Sequence, residues 1–242
     1  MRRLTIQYRD LGKMPYQKAW DLQERLLKAN VDLKIAAGRS TKAGEVDTQS
    51  YLLFCEHPHV YTLGKSGKVE HLLLDDASIA KKGISFFKIN RGGDITYHGP
   101  GQITGYPIFD LEKLKPDLGW YLRTLEEVMI GLLAEYGLKG DRIKGATGVW
   151  LGINTHNPRK ICAFGVRCSR WISMHGFALN VNTDLSYFNH IIPCGINDKG
   201  VTSLQVELGR AIDVKEVKEG LKRHFVLQFG LEYEGMERSS TV

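Results

Sequence analysis

A cysteine set between proline and glycine is the residue best placed to act as a nucleophile. Cys194 follows Pro193 and precedes Gly195, just after a short helical stretch at 184–190. Proline fixes the backbone on entry and glycine permits a tight exit, so the thiol is expected on a turn and not inside a buried helix. A thiol presented in this way can attack an acyl carbon and form a thioester.

The other cysteines, Cys55, Cys162 and Cys168, lie inside strand patterns, where cysteine is usually a small buried hydrophobic residue. The chain has 4 cysteines, without Cys-x-x-Cys spacing and without the density of a disulfide scaffold. We therefore expect reduced thiols and no metal site.

The segment Arg91–Gln102 has the most unusual local composition, since it combines glycines, a proline and several polar side chains. This composition predicts a binding loop whose backbone amides approach a ligand closely, and it argues against a place in the core. The segment is not a Walker phosphate loop, because no Gly-Lys-Ser/Thr sequence closes it.

Lys160 begins the strand pattern 160–167, and His175 lies in the next strand pattern, 172–182. A lone lysine at the start of a strand is usually a solvated edge charge, so its position alone does not select Lys160. His98 and His175 are secondary candidates for orienting the thiol, and Cys194 with His175 is an alternative catalytic pair.

Three amphipathic helices are predicted around these residues. Apolar side chains recur at three- and four-residue steps over 14–36, from Pro116 to Gly137, and from an Asp213 cap to Gly230. Residues 39–50 are interpreted as a loop. The predicted strands are 4–8, 51–56, 85–89, 102–108, 147–151, 160–167 and 172–182.

Strands clustered in this way, with helices set apart, predict an α+β domain built on a mixed or antiparallel sheet with flanking helices. Residues 1–242 are expected to form one domain, in which 186–242 could be a small C-terminal lobe. No apolar run approaches the ~18 residues of a membrane span, and the N-terminus is interpreted as a strand and not a signal. We expect a cytoplasmic protein. The net charge of +6 leaves nucleic-acid binding or an acidic protein partner open.

Five blocks in order resemble the lipoyl(octanoyl) transferase family, whose fold looks like that of the biotin and lipoate protein ligases. The blocks are Glu56–Pro58 with Tyr61–Gly64, Arg91–His98 with Pro100–Gln102, Gly145–Trp150, Lys160–Ile161 with His175–Val181, and Pro193–Gly195. The resemblance covers residues 8–205 and implies the same catalytic-domain fold here.

The resemblance implies that octanoyl groups pass from octanoyl-acyl carrier protein to a lysine of lipoyl domains. The acceptors would be lipoyl domains of 2-oxoacid dehydrogenase complexes and the glycine cleavage H protein. The donor carries a phosphopantetheine thioester, and since thioester exchange followed by amide formation needs no activation, neither ATP nor a metal is implied. Nucleic acid and membrane are not implied as partners.

The resemblance also implies that Cys194 becomes the acyl thioester and that Lys160 tunes it. The acyl site would comprise Arg91, Gly92, Gly93, Asp94, Ile95, Thr96, Tyr97, His98, Ala163, Phe164, Gly165, His175, Gly176, Phe177 and Ala178.

These residue types suit acyl transfer. A free thiol is only a few per cent thiolate at neutral pH, so a base is needed, and Lys160 can be that base if partial burial lowers its pKa. Backbone amides near Gly176 or in 91–98 are candidate oxyanion donors. Phe164 and Phe177 are candidates for lining a channel for an eight-carbon chain.

Three alternatives remain open from the sequence. The first is an ATP-dependent lipoate or biotin protein ligase, although its glycine-rich loop has a different residue order from Arg91–Gln102. The second is a thiol hydrolase that uses Cys194 and His175. The third is a non-catalytic nucleic-acid-binding or scaffold protein that uses the positive charge.

Overall fold

The computed structural model describes residues 3–38, 46–192 and 200–235, and these form an α+β fold. The helices are Tyr16–Gly38 (α1), Asp76–Lys81 (α2), Leu118–Glu135 (α3), Leu204–Leu208 (α4) and Val214–Phe229 (α5). The strands are Leu4–Lys13 (β1), Ser50–Glu56 (β2), Val60–Leu63 (β3), Ser85–Lys88 (β4), Ile95–His98 (β5), Gln102–Ile108 (β6), Asp141–Ile143 (β7), Ala146–Leu151 (β8), Arg159–Ser169 (β9), Ile172–Asn180 (β10), Gly200–Val201 (β11) and Leu231–Tyr233 (β12).

Among these residues the strands form two sheets. The large sheet has the order β12-β1-β2-β6-β10-β9-β8-β7, with β11 beside β9, and the small sheet has the order β4-β3-β5. In the large sheet β1 is parallel to β2 and to β12, β11 is parallel to β9, and the remaining pairs are antiparallel. The prediction of a mixed sheet with flanking helices is therefore confirmed.

Helices cover both faces of the large sheet because each helix has one apolar stripe to bury. On one face, Ala19 and Leu27 of α1 pack in a cluster with Leu53, Ile108 and Met174. On the other face α3 and α5 share the larger core with the strands; its members include Leu125, Met129, Leu132, Leu221 and Phe225.

The chain after residue 200 contributes to the same core and the same sheet. Strand β12 pairs with β1, joining Leu231 to Leu4, and Phe225 and Phe229 of α5 lie in the main cluster. The Asp213 side chain caps α5 by accepting from the Lys215 amide, and the helix ends as predicted at a left-handed glycine, Gly230.

Most predicted elements appear within a few residues of their expected bounds, and 102–108 coincides with β6. The elements that were not predicted, β3, α2, β5, β7, β11, α4 and β12, have six residues or fewer. Such short segments do not complete enough of a period to be recognised from the pattern alone. Part of the predicted loop 39–50, namely 39–45, lies outside the described residues.

The prediction that Arg91–Gln102 is a loop outside the core is wrong for its middle. Residues Ile95–His98 form β5, which pairs with β3, and the side chains of Ile95 and Tyr97 are buried. The surrounding glycines obscured this short strand, which joins the core only through its tertiary pairing.

We predict that Gly105→Ala in β6 destabilises the protein. A β-carbon there would lie 2.1 Å from ring atoms of Phe177, and that ring is confined by Phe54 and Phe225. We expect the free energy of unfolding to fall by about 1–3 kcal/mol, the usual cost of overpacking. Gly38→Ala is the control, because nothing lies within 4 Å of its added carbon. Urea denaturation measures both, and equal midpoints would contradict the prediction.

Candidate active site

A cavity of about 470 Å³ is lined by residues from both sheets. The small sheet and the turn before it contribute residues 91–96 and 98, and strands β6, β8, β9, β10 and β11 contribute the opposite wall. A cavity of this size suits a small or medium-sized ligand.

The predicted acyl-site residues, with one exception, line this cavity, and so does Lys160. The exception is Tyr97, whose ring stacks on that of Tyr187 at 4.9 Å and whose hydroxyl lies 2.7 Å from His59 Nδ1. Its side chain therefore anchors the short helix Leu185–His190 instead of contacting the cavity. Cys194, with its neighbours Pro193 and Gly195, lies outside the described residues.

Lys160 is half-buried at the start of β9. Its ammonium nitrogen lies 4.7 Å from the centroid of the Trp150 ring, which is a cation–π contact. Its backbone is held by β11, since Val201 pairs with it and its carbonyl accepts from the Thr202 amide at 2.9 Å. The resemblance, and not strand position, singled out this residue.

A chain of hydrogen bonds fixes His98 in one tautomer. Asn180 Nδ2 donates to the Thr202 carbonyl at 3.0 Å, and Gln102 Nε2 donates to Asn180 Oδ1 at 2.9 Å. Gln102 Oε1 must then accept from His98 Nδ1, 2.8 Å away. The other nitrogen, Nε2, lies 3.3 Å from the Thr62 hydroxyl, from which it accepts.

Burial lowers the pKa of His98 to about 3, and the nearby His57 and Arg91 charges act in the same direction. His98 is therefore neutral at physiological pH, with both ring nitrogens already engaged. This favours a structural part in the cavity wall over proton transfer.

His175 is held in a strained backbone conformation, with φ at 57°. Its amide donates to Gln23 Oε1 at 3.0 Å, and its Nε2 lies 2.9 Å from Asn90 Oδ1. Burial lowers the pKa of His175 to about 3, and Arg91 and Arg167 add to this effect. Such an imidazole is a weak base, which counts against the alternative pair of Cys194 and His175.

Arg91 and Gly92 tie the turn before β5 to both sheets. The Arg91 guanidinium donates to the Thr62 carbonyl at 2.7 Å, and the Gly92 amide donates to the Val166 carbonyl at 3.0 Å. The Ile95 amide donates to the Asp94 carboxylate at 2.6 Å. The amides of Gly92 and Ile95 are thus already used, which narrows the set of possible oxyanion donors in 91–98.

Cys55 and Cys162 are buried, as predicted, and Cys168 is half-buried. Burial raises the pKa of Cys55 to about 12, raises that of Cys162 well above its usual value, and raises that of Cys168. These thiols stay protonated at neutral pH and are poor nucleophiles.

In the ranges that the structure describes, no three His, Cys, Asp or Glu side chains gather as metal ligands would. In the same ranges no helix combines the length and apolar character needed to span a bilayer.

The sequence interpretation missed several residues of the cavity wall. These are Tyr16, Tyr106, Leu122, Val166, Phe188, Gly200 and Val201. Tyr16 and Tyr106 fit the apolar pattern of a helix and a strand, in which an aromatic residue is usually part of the hydrophobic core. Phe188 and Gly200 are notable because they lie on either side of the undescribed stretch that contains Cys194.

The fold is that of known ligases. One matching solved structure is that of a bi-partite lipoate protein ligase and its E2 lipoyl domain from Thermoplasma acidophilum. It matches with TM-score 0.67 and 17% identity, covering 95% of this chain and 86% of that one. Lipoate-protein ligase A bound with ATP matches with TM-score 0.64 and 16% identity, covering 96% and 87% of the two chains. Biotin protein ligase from Aquifex aeolicus in complex with biotin and ATP matches with TM-score 0.50 and 14% identity, covering 93% and 70%. At these identities the likeness establishes the fold alone.

Fold and site define a catalytic domain of the lipoyl protein ligase A/B type, and the family described as "Lipoyl protein ligase A/B catalytic domain" matches residues 15–226. An octanoyltransferase from Flavobacterium johnsoniae is 59% identical over 228 residues, covering 94% of this chain and 97% of the relative. The chain belongs to the octanoyltransferase family and is an acyltransferase.

We predict that His98 makes stability depend on pH. Its pKa is about 3 in the folded protein and near 6.5 when unfolded, so the unfolded chain binds the extra proton as pH falls below 6.5. Stability is therefore lost between pH 6.5 and 3. Between pH 7.5 and 5.0, His98→Asn should lose about 2 kcal/mol less than wild type in urea denaturation.

His156→Asn is the matched control, because His156 is exposed and its removal should leave the pH dependence unchanged. If His98→Asn showed the wild-type dependence, His98 would not be the neutral, buried group described above.

Proposed function

We propose that this enzyme transfers an octanoyl group from acyl carrier protein to a lysine of lipoyl domains, through a thioester on Cys194 and with Lys160 as the base. The observation that carries the proposal is that Lys160 and the predicted acyl-site residues other than Tyr97 line one cavity. Phe188 and Gly200, on either side of the stretch that contains Cys194, line the same cavity.

The reaction runs in two balanced steps. Lys160 takes the Cys194 proton, the thiolate attacks the acyl carbonyl carbon, and the pantetheine sulfur leaves with the proton from Lys160. Lys160 next takes a proton from the attacking amine of the acceptor lysine, and the Cys194 sulfur leaves and is reprotonated. A thioester is exchanged for a thioester and then for a more stable amide, so no ATP is consumed.

The apolar part of the wall suits an aliphatic chain. Ala163 and Ala178 are cross-strand partners on β9 and β10, and Phe164 and Phe177 are the next pair along the ladder. Ala163 and Ala178 leave room where the chain would lie, and the Phe164–Phe177 pair packs with the main core behind them. The eight-carbon preference is carried over from the relatives named octanoyltransferase.

The partners are an acyl donor on phosphopantetheine and lipoyl domains of the 2-oxoacid dehydrogenase complexes and the glycine cleavage H protein. Both kinds of partner are commonly acidic, and the net charge of +6 favours their encounter. The protein would act in the cytoplasm, where acyl carrier protein resides.

An ATP-dependent ligase on the same fold is the second candidate, since structures of this fold bind ATP. The family relationship favours transfer, because relatives that cover almost the whole chain are named octanoyltransferases.

We predict that the wild-type enzyme mixed with octanoyl-acyl carrier protein, without ATP, gains a hydroxylamine-sensitive octanoyl adduct in intact-protein mass spectrometry. Cys194→Ser should form no such adduct, and Lys160→Ala should form it about 100-fold more slowly because the base is lost. Cys168→Ser is the control and should keep the wild-type rate.

Acylation that requires ATP and free octanoate would instead identify a ligase. If Lys160→Ala kept more than about a tenth of the wild-type rate, Lys160 would not be the base.

We also predict that Ala178→Leu shortens the acyl chain that the cavity accepts. The added carbons project from β10 into the wall shared with Ala163, so loading of octanoyl should fall about ten-fold while loading of butyryl changes little. Ala80→Leu, on an exposed position of α2, is the control. Equal losses for the two acyl chains would show that Ala178 does not limit chain length.

A further inference from the structure

A buried carboxylate lies beneath the strand that supports Lys160. The side chain of Glu126 in α3 is fully buried, and its Oε2 accepts from Arg142 Nε at 2.7 Å and from Arg123 at 2.5 Å. Arg142 also donates to Glu127 at 2.7 Å. Burying a carboxylate without such partners is strongly unfavourable, so the two guanidinium groups compensate its charge there.

Gly148 lies between Glu126 and Lys160 and contacts both of them. Glu126 Oε1 accepts from the Gly148 amide at 3.3 Å, and Gly148 has a φ of 140°. A β-carbon on Gly148 would lie 3.0 Å from Lys160 Cε, so the lysine stem lies directly over this glycine. Two residues on, Trp150 places its ring under the ammonium group.

The charges of Glu126 and Lys160 also act on a common neighbour. Burial is the main reason that the pKa of Cys162 is raised, but Lys160 lowers this pKa while Glu126 raises it. Both charges therefore act at the same sulfur atom.

We propose that Arg142 and Glu126 are positioning residues for Lys160: they hold the Gly148–Trp150 segment beneath its side chain, and Arg142 neutralises a carboxylate that would otherwise keep the lysine protonated. The inference rests on the proposed function, in which Lys160 must lose a proton to act as a base.

The Arg142 and Glu126 charges shift the protonation of Lys160 in opposite directions. Without Arg142, the Glu126 carboxylate is less compensated, the ammonium form of Lys160 is favoured, and less neutral lysine is present at pH 7. Without the Glu126 charge, the two arginines are left in excess, and the neutral form of Lys160 is favoured.

Other charged groups lie around the lysine, and two of them, Arg123 and Glu127, pair with Glu126 and Arg142 themselves. From the neighbouring elements these are Arg123 and Glu127 on α3, Asp141 on β7, Arg159 on β9 with Glu207 on α4, and Asp94 with His71 at the cavity; Arg91 and the neutral His98 and His175 also line it. None of these is altered in the test below.

The test is the pH profile of acyl-enzyme formation from octanoyl-acyl carrier protein between pH 6 and 9. For Arg142→Gln we expect the rising limb of the rate–pH profile to shift by about one unit toward higher pH. The rate at pH 7 should be about ten-fold lower, and the alkaline plateau should stay close to wild type. For Glu126→Gln, which keeps the shape of the side chain, we expect the rising limb to shift toward lower pH.

Arg142→Lys retains the charge and should restore the wild-type limb. Arg223→Gln is the matched control, because Arg223 of α5 forms an exposed ion pair with Glu135, which lies on α3 as Glu126 does, and its loss should leave the profile unchanged. If Arg142→Gln does not fold, Glu126→Gln alone carries the test, since its shift has the opposite sign.

A lower plateau with an unmoved limb in both variants would overturn the inference and leave the pair a purely structural role. Failure of the proposed function would look different. In that case Cys194→Ser or Lys160→Ala would retain acyl-enzyme formation, whatever the profiles of the Arg142 and Glu126 variants.

Discussion

A continuous chain of hydrogen bonds from His98 to Thr202 joins the parts of the cavity wall, and the rest of the site depends on it. His98 belongs to the small sheet, Gln102 and Asn180 to neighbouring strands of the large sheet, and Thr202 follows β11. All four side chains are buried, so each unmade bond would cost the full desolvation of a polar group. These hydrogen bonds therefore set the distance between the two sheets and place β11 beside Lys160.

The same burial keeps the imidazoles and thiols of this region uncharged. The imidazoles of His98 and His175 are neutral because ionised forms are disfavoured away from water, and the buried thiols stay protonated for the same reason. Charged groups are instead compensated in place, as Glu126 is by Arg123 and Arg142.

The fold by itself does not distinguish transferase from ligase, because solved ligases share it at identities below 25%. Family membership therefore carries more weight for activity than the likeness of the backbone does.

The amino-acid sequence by itself determined the long helices, the long strands, the mixed-sheet class and, by resemblance, most of the cavity wall. Those features follow from local periodicity and from the order and spacing of the sequence motifs. Only the tertiary structure decided that Ile95–His98 is a buried strand and that Tyr97 faces away from the cavity. It alone also placed Glu126 beneath Lys160. The reason is physical: pairing, stacking and charge compensation join residues far apart in the chain, and no local period encodes such contacts.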